Sequence, residues 1–277
     1  MMIRLRKMFK GQKVIVVCSI VLAALFIIMA LAPWLAPHDP VKVNLLHKLE
    51  GPSKEYWLGT DHLGRCNLSR LLYGARISLG FATLIFLSSL SIGVVIGSVA
   101  GYLGGWVDSV LMRFCEGIMA FPNLVLVLGI VGIFGPGLMQ VLFALMLVQW
   151  VYYARMCRNM VVSLKEQNFI AAARIIGSSS GAIIRRHIIP NVLRPIVVIG
   201  TLEMGWAIMD ISALSFLGLG IQPPTPEWGA MIHEGTGYIR SYPELMIYPG
   251  IMILVVVMAF NILGEALSDR YGIAKRQ

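Results

Sequence analysis

The chain has 277 residues, 57% of them hydrophobic and 13% charged, with a mean hydropathy of +0.78. Soluble domains carry about 25% charged residues, so this composition excludes an ordinary soluble domain and places the chain in the membrane class. The net charge of +9 does not mark a nucleic-acid binder, because the basic residues are dispersed between apolar runs and form no DNA or RNA module.

Runs without Asp, Glu, Lys or Arg set the elements in chain order, since a bilayer-crossing helix needs about 20 mostly apolar residues. The first span is expected at 14–35, behind Arg4, Arg6, Lys7, Lys10 and Lys13. Ala30-Leu31-Ala32 loosely resembles a signal-cleavage site. The apolar run nevertheless exceeds the roughly 7–15 residues of a signal core, and Pro33 follows, so an uncleaved helix is expected. An outer segment occupies 37–76, and spans follow at 79–101 and 113–133. Phe134-Gly135-Pro136-Gly137 reads as the turn into a fourth span at 139–158. After a polar stretch at 159–194, a fifth span at 196–218 carries only Glu203 and Asp210 as charges, and a sixth runs over 246–265. The expected fold is an all-α membrane protein of six transmembrane helices, divided as 1–36 (N-tail and first helix), 37–76 (outer segment) and 77–277 (five-helix core).

Lys and Arg are enriched on the cytoplasmic side of membrane proteins. With the N-terminus inside, the inner segments hold the five N-terminal cations, Arg113, the cluster from Arg155 to Arg194, and Arg270, Lys275 and Arg276. The outer segments hold fewer: Lys42, Lys48, Lys54, Arg65, Arg70, Arg76 and Arg240. Both termini are therefore expected in the cytoplasm, with outer loops at about 36–78 and 219–245.

The segment Glu166–Asn191, EQNFIAAARIIGSSSGAIIRRHIIPN, is too polar for lipid and too long for a tight turn. Leu164, Phe169, Ala172, Ala173 and Ile176 recur at helical spacing over 164–176. Gly177 and three serines break that helix, an apolar pattern restarts at Ile183, Ile184 and Ile188, and Pro190 interrupts it. A hairpin with a smooth small-residue face permits close approach by another surface, its basic positions meeting acidic groups there or lipid headgroups; the alternative is a solvated loop whose helix rests on the bilayer.

This segment resembles the cytoplasmic coupling loop of ABC-transporter permeases of binding-protein-dependent importers. That loop runs Glu-Ala-Ala, three residues, Gly, then Ile-x-x-Pro; here Ala172-Ala173, Gly177 and Ile188-Ile189-Pro190-Asn191 match it, with Ala171 in place of the glutamate. Further blocks, WLGTDHLGRCNLSRLLYGARISL (57–79), GYLGGWVDSVLMR (101–113), FPNLVLVL (121–128), LSFLGLGIQPPTPEWGAMI (214–232) and MAFNILGEALSDR (258–270), are similar to the second permease subunit of the dipeptide/oligopeptide/nickel importers. Cys66 stands where that family usually has Asp, and Glu265 where it often has Asp.

The resemblance implies a type I importer permease fold in a bacterial inner membrane. It implies a homologous second permease, two ABC ATPases that hold ATP and magnesium, and an extracytoplasmic substrate-binding protein. Docking of an ATPase would fall on Phe169, Ala172, Ala173, Arg174, Gly177, His187 and Pro190. Transport would proceed by alternating access, with di- or oligopeptides the expected substrate and nickel or a nickel chelate the alternative.

Glu203 and Asp210 are two turns apart on one helix face, and charges at bilayer depth normally face a bundle interior or a wet route. They either line the pathway, where they could meet a substrate's amine or a cation, or pair with polar groups of a partner helix or stabilise a bend beside Gly205. Gly93, Gly97, Gly101 and Gly105 repeat at the spacing of close helix contact. Pro122 and Pro249 are expected to give plain kinks, and Glu116 to pair with Arg113. The tryptophans, Trp206 apart, read as interfacial anchors, and Pro223–Gly229 as either a docking platform or a strut. No metal site is expected, because neither the five histidines nor the four cysteines have ligand spacing. No enzyme is expected either: phosphate loop, nucleophile elbow, HExxH and CxxC are all lacking.

Overall fold

The computed structural model describes residues 2–271; Lys275 and Arg276, used above for orientation, lie outside them. The chain runs α1 (Met2–Leu35), α2 (Asn67–Leu103), α3 (Gly105–Met119), α4 (Asn123–Phe134), α5 (Leu138–Lys165), α6 (Asn168–Ile175), α7 (Ser180–Ile183), α8 (Ile189–Phe216), α9 (Trp228–Gly235) and α10 (Glu244–Tyr271). Among the described residues there is no strand, only an isolated bridge between Thr60 and Cys66. Helices dominate because lipid offers backbone groups no hydrogen-bond partner.

Five helical stretches are long and apolar enough to cross a membrane. The third expected span, 113–133, is corrected: it is α3 and α4, joined at Ala120–Pro122 and bent by 85°. Pro122 is therefore a break in the span, not a plain kink. Its ring removes a donor and disfavours helix at Phe121 before it. The glycine-proline turn falls where expected, between α4 and α5. α2 starts at Asn67, well before the expected 79, so the outer segment ends inside its first turns.

Along α2, Gly93, Gly97 and Gly101 face α5 within the chain, whereas Gly105, the first residue of α3, has open space where a side chain would stand. A methyl group on Gly97 would lie 2.3 Å from the Ala154 carbonyl oxygen and 2.7 Å from Cys157 Cβ. These are backbone and near-backbone atoms with no flexible tip to move. Gly97→Leu is expected to force α2 and α5 apart and destabilise the subunit by about 1–3 kcal/mol. A lowered thermal transition in detergent checks this, with Gly129→Leu, where nothing lies within 4 Å, as the tolerated comparison.

The main core joins α1, α2, α4, α5, α8, α9 and α10 through residues such as Leu79, Ile85, Leu145, Ile208 and Val256. A second cluster lies at the opposite end of α2 from the outer segment and gathers Tyr102, Cys157, Ile170, Ala173, Ile183, Ile188 and Val192. Polar ends thus sit on either side of an apolar bundle, with 36–66 and 217–243 at one end and α6–α7 at the other.

Candidate functional site

At the α6–α7 end, α6 begins only at Asn168; Leu164 belongs to α5. Ile170 is fully buried and Ala173 is 5% exposed, both packed onto the second cluster. The remaining apolar stripe turns outward: Phe169, Ala172 and Ile176 are exposed, with Ile175 beside them at 86%. Helix phase turns Ala173 inward, and the small outward residues are Ala171 and Ala172.

Gly177 ends α6 in a left-handed conformation, φ +80°. Its N–H donates to Arg174 O and that of Ser178 to Ala173 O, each at 3.0 Å, the paired pattern of a Schellman cap that glycine alone adopts without strain. Arg174 lies over the Tyr102 ring, 5.2 Å from its centre, and its Nε donates to the phenol oxygen at 3.4 Å. His187 faces Phe169, ring centres 6.3 Å apart.

Pro190 does not interrupt the chain as expected. A π turn over Ile184–Ile188 leads directly into α8, with the Ile189 N–H reaching back to Ile184 O. The wider turn absorbs the donor that proline lacks. Pro190 is exposed at the start of α8.

Within the spans, Asp210 Oδ2 accepts from Gln149 Nε2 of α5 at 3.2 Å and from Asn123 Nδ2 of α4 at 3.3 Å. Asn123 is the first residue after the break in the third span. Glu203 lies two turns earlier on α8; both carboxylates are partly exposed, and neither has a cation partner among the described residues. Glu116 pairs with Arg113 at 3.4 Å, as expected.

The opposite end of the bundle holds a network that no local spacing announces. Glu234 Oε2 accepts from Arg65 Nη2 at 2.8 Å and Arg70 Nη2 at 2.7 Å, while Arg65 Nε also donates to Asp61 Oδ2 at 2.6 Å. Asp61, His62 and Glu234 come close enough to hold a metal ion. Both carboxylates are already neutralised by guanidinium groups, so the arrangement fits an ion-pair clasp. Burial lowers the His62 pKa, opposed by the neighbouring Asp61 and Glu234 charges.

Nearby, Glu227 and Trp228 are both fully buried, so Trp228 is not an interfacial anchor. Glu227 accepts from Ser78 Oγ at 3.0 Å and from the Ala230 N–H at 2.9 Å; Trp228 Nε1 donates to Leu71 O at 3.1 Å. Burial raises the Glu227 pKa, and the Gly229 and Ala230 N–H groups pull it back. These contacts anchor the Glu227–Trp228 end of the segment to α2, while Pro223 and Pro224 remain exposed.

The family described as "Binding-protein-dependent transport system inner membrane component" matches residues 93–273, and "N-terminal TM domain of oligopeptide transport permease C" matches 2–52. The dipeptide transport system permease protein of Alkalihalophilus pseudofirmus is 40% identical over 95% of this chain and 86% of its own. The nickel transport system permease protein of Escherichia coli is 40% identical over 90% of each chain. The glutathione transport system permease protein of Escherichia coli is 38% identical over 94% of this chain and 86% of its own. A chain of the inward-facing MetNI methionine ABC transporter shares the fold, with a TM-score of 0.56 at 17% identity over 73% of this chain and 96% of that one.

Proposed function

Because the chain belongs to the family of inner-membrane components of binding-protein-dependent transport systems, and so is a permease subunit of an ABC importer, we propose that it forms half of the translocation route for di- or oligopeptides. The observation that carries the coupling role is the division of the inner loop. Ile170, Ala173, Ile183 and Ile188 lock it to the bundle, while Phe169, Ala172, Ile175 and Ile176 face away. A partner ATPase seated on that outward face moves the loop as it binds and hydrolyses ATP. The loop's rigid attachment carries the motion into α2, α5 and α8, which open alternately to either side. A second, homologous permease completes the route, a binding protein delivers substrate from outside, and both termini lie in the cytoplasm.

For substrate class, Glu203 and Asp210 supply negative charge and Asn123 and Gln149 supply amides, a set suited to the charged and hydrogen-bonding groups of a peptide. The one histidine in the candidate spans, His187, lies in the π turn ahead of α8 and well away from Glu203 and Asp210, so a nickel ion would find little imidazole beside those carboxylates.

Uptake in a deletion strain tests this, with labelled dipeptide and labelled nickel supplied separately. Dipeptide uptake should vanish on deletion and return on complementation with the subunit and its operon neighbours. Nickel uptake returning instead overturns the peptide assignment and supports the metal alternative.

A further inference from the structure

Trp206 did not fit the interfacial pattern of the other tryptophans in the sequence, and its position in the structure is unusual. It lies in the middle of α8, 59% exposed, between Glu203 and Asp210. The three residues follow at intervals of three and four, which puts them on one face of the helix. Met204, Gly205, Ala207 and Ile208 point the other way, into the core.

Two features make this face unsuited to lipid. Neither carboxylate has an ion-pair partner among the described residues, and no lysine or arginine lies between Pro195 and Phe216. At bilayer depth such charges require a wet cavity or a compensating cation. The two amides on Asp210 both donate to Oδ2, and Oδ1 accepts no hydrogen bond from any described residue. They fix the carboxylate's orientation and leave one oxygen free.

We infer that Asp210, Trp206 and Glu203, with Asn123 and Gln149 orienting Asp210, form a transient site for the cationic group of the substrate, which for a peptide is its terminal ammonium. The inference rests on α8 lining the translocation route. An indole face attracts a desolvated ammonium electrostatically, and a carboxylate on either side, about 10 Å apart along the axis, offers successive holding points. An indole does not ligate metal ions, and primary amides are weak ligands beside imidazole or thiolate. The set therefore favours an ammonium over a metal ion, although both are cations. Asn123 belongs to the segment just after the 85° break. The orientation of Asp210 is thus tied to the most irregular part of the bundle, where discontinuous helices commonly border transport cavities.

The test uses the assembled transporter in nanodiscs, labelled with 5-fluorotryptophan, with the Trp206 signal assigned by its loss in Trp206→Phe. Alanyl-alanine, N-acetyl-alanyl-alanine and nickel chloride are titrated separately. The free-amine dipeptide is expected to shift the Trp206 resonance, and the acetylated one to need at least tenfold higher concentration. Asp210→Asn is expected to weaken the free-amine response about tenfold in a transporter that still assembles with its partner subunits. No response to any ligand, or equal responses to the free and acetylated peptides, overturns the ammonium site and leaves the uptake result above unaffected. A response to nickel alone overturns it in favour of a metal cation. Failure of dipeptide uptake in cells would instead remove the peptide reading itself.

Discussion

Replacing Glu234 with alanine is expected to destabilise the subunit by about 3–5 kcal/mol, the usual cost of removing one partner from a buried charge pair. Glu234 is 12% exposed, while Arg65 and Arg70 are each 1% exposed. One oxygen, Oε2, accepts from both guanidinium groups. Without it, two buried cations share Asp61, whose Oδ2 lies 2.6 Å from Arg65 Nε and 3.5 Å from Arg70 Nε. Asp61 is also occupied in its own turn, accepting from the Leu63 and Arg65 N–H groups at 2.8 and 2.9 Å. Arg70 Nη1 already has no partner, so little spare capacity remains. The clasp joins the outer segment to α2 and α9, and its loss should free that segment first. Faster trypsin cleavage after Lys48 or Lys54, together with a lowered thermal transition in detergent, would report this. Glu234→Gln keeps an acceptor and should lose less. Adding Arg70→Met to Glu234→Ala should recover part of the loss, because the unpaired charge goes with it. A melting curve like that of the unaltered protein would show that water already screens the network.

The clasp also shows where sequence reading stops. Arg65 and Arg70 registered only as outer-loop cations, because their partner lies more than 160 positions away and no local spacing announces it. The membrane spans were legible because a bilayer demands length and low charge, both properties of a contiguous run. The same criterion failed at Pro122: apolar residues on either side kept the run unbroken, and composition carries no information about an 85° change of direction. Gly93, Gly97 and Gly101 announced a close helix contact, but only the fold identifies α5 as the other surface. Trp228 looked like its counterparts at span ends, yet it is buried against Gly74, 154 positions earlier, where a Cβ would lie 2.8 Å from the indole. In the inner loop the outward stripe of Phe169, Ala172 and Ile176 was legible as a periodicity. The inward turn of Ala173 depends on helix phase, which is fixed only once Ile170 has found the bundle.

Phe169→Asp combined with Ile175→Asp is expected to abolish transport and the co-purification of the ATPase subunits while leaving the subunit folded. Phe169 is 42% exposed and Ile175 86% exposed, so neither supports the core, and Ile176 at 80% extends the same surface. Exposed apolar residues grouped on a polar end of a membrane protein mark a contact surface. Fully burying a large apolar side chain stabilises a contact by about 1.5–3 kcal/mol; losing two such contacts amounts to roughly 3–6 kcal/mol, or about a 100- to 10,000-fold weaker association. Ala172→Trp probes the same face without adding charge. Ala172 is exposed between Phe169 and Ile176, so an indole there should hold a partner surface away while the loop's own packing through Ile170, Ile183 and Ile188 stays intact. Gly177→Val attacks the geometry instead. A side chain meets nothing within 4 Å, but a β-branched residue at φ +80° is strained, so the cap should open and the stripe lose its orientation. If all three variants retain ATPase co-purification and uptake, the stripe rests on lipid headgroups and the coupling surface lies elsewhere. If the two aspartates and the tryptophan separate the ATPases from a subunit that melts normally, the stripe is the docking surface.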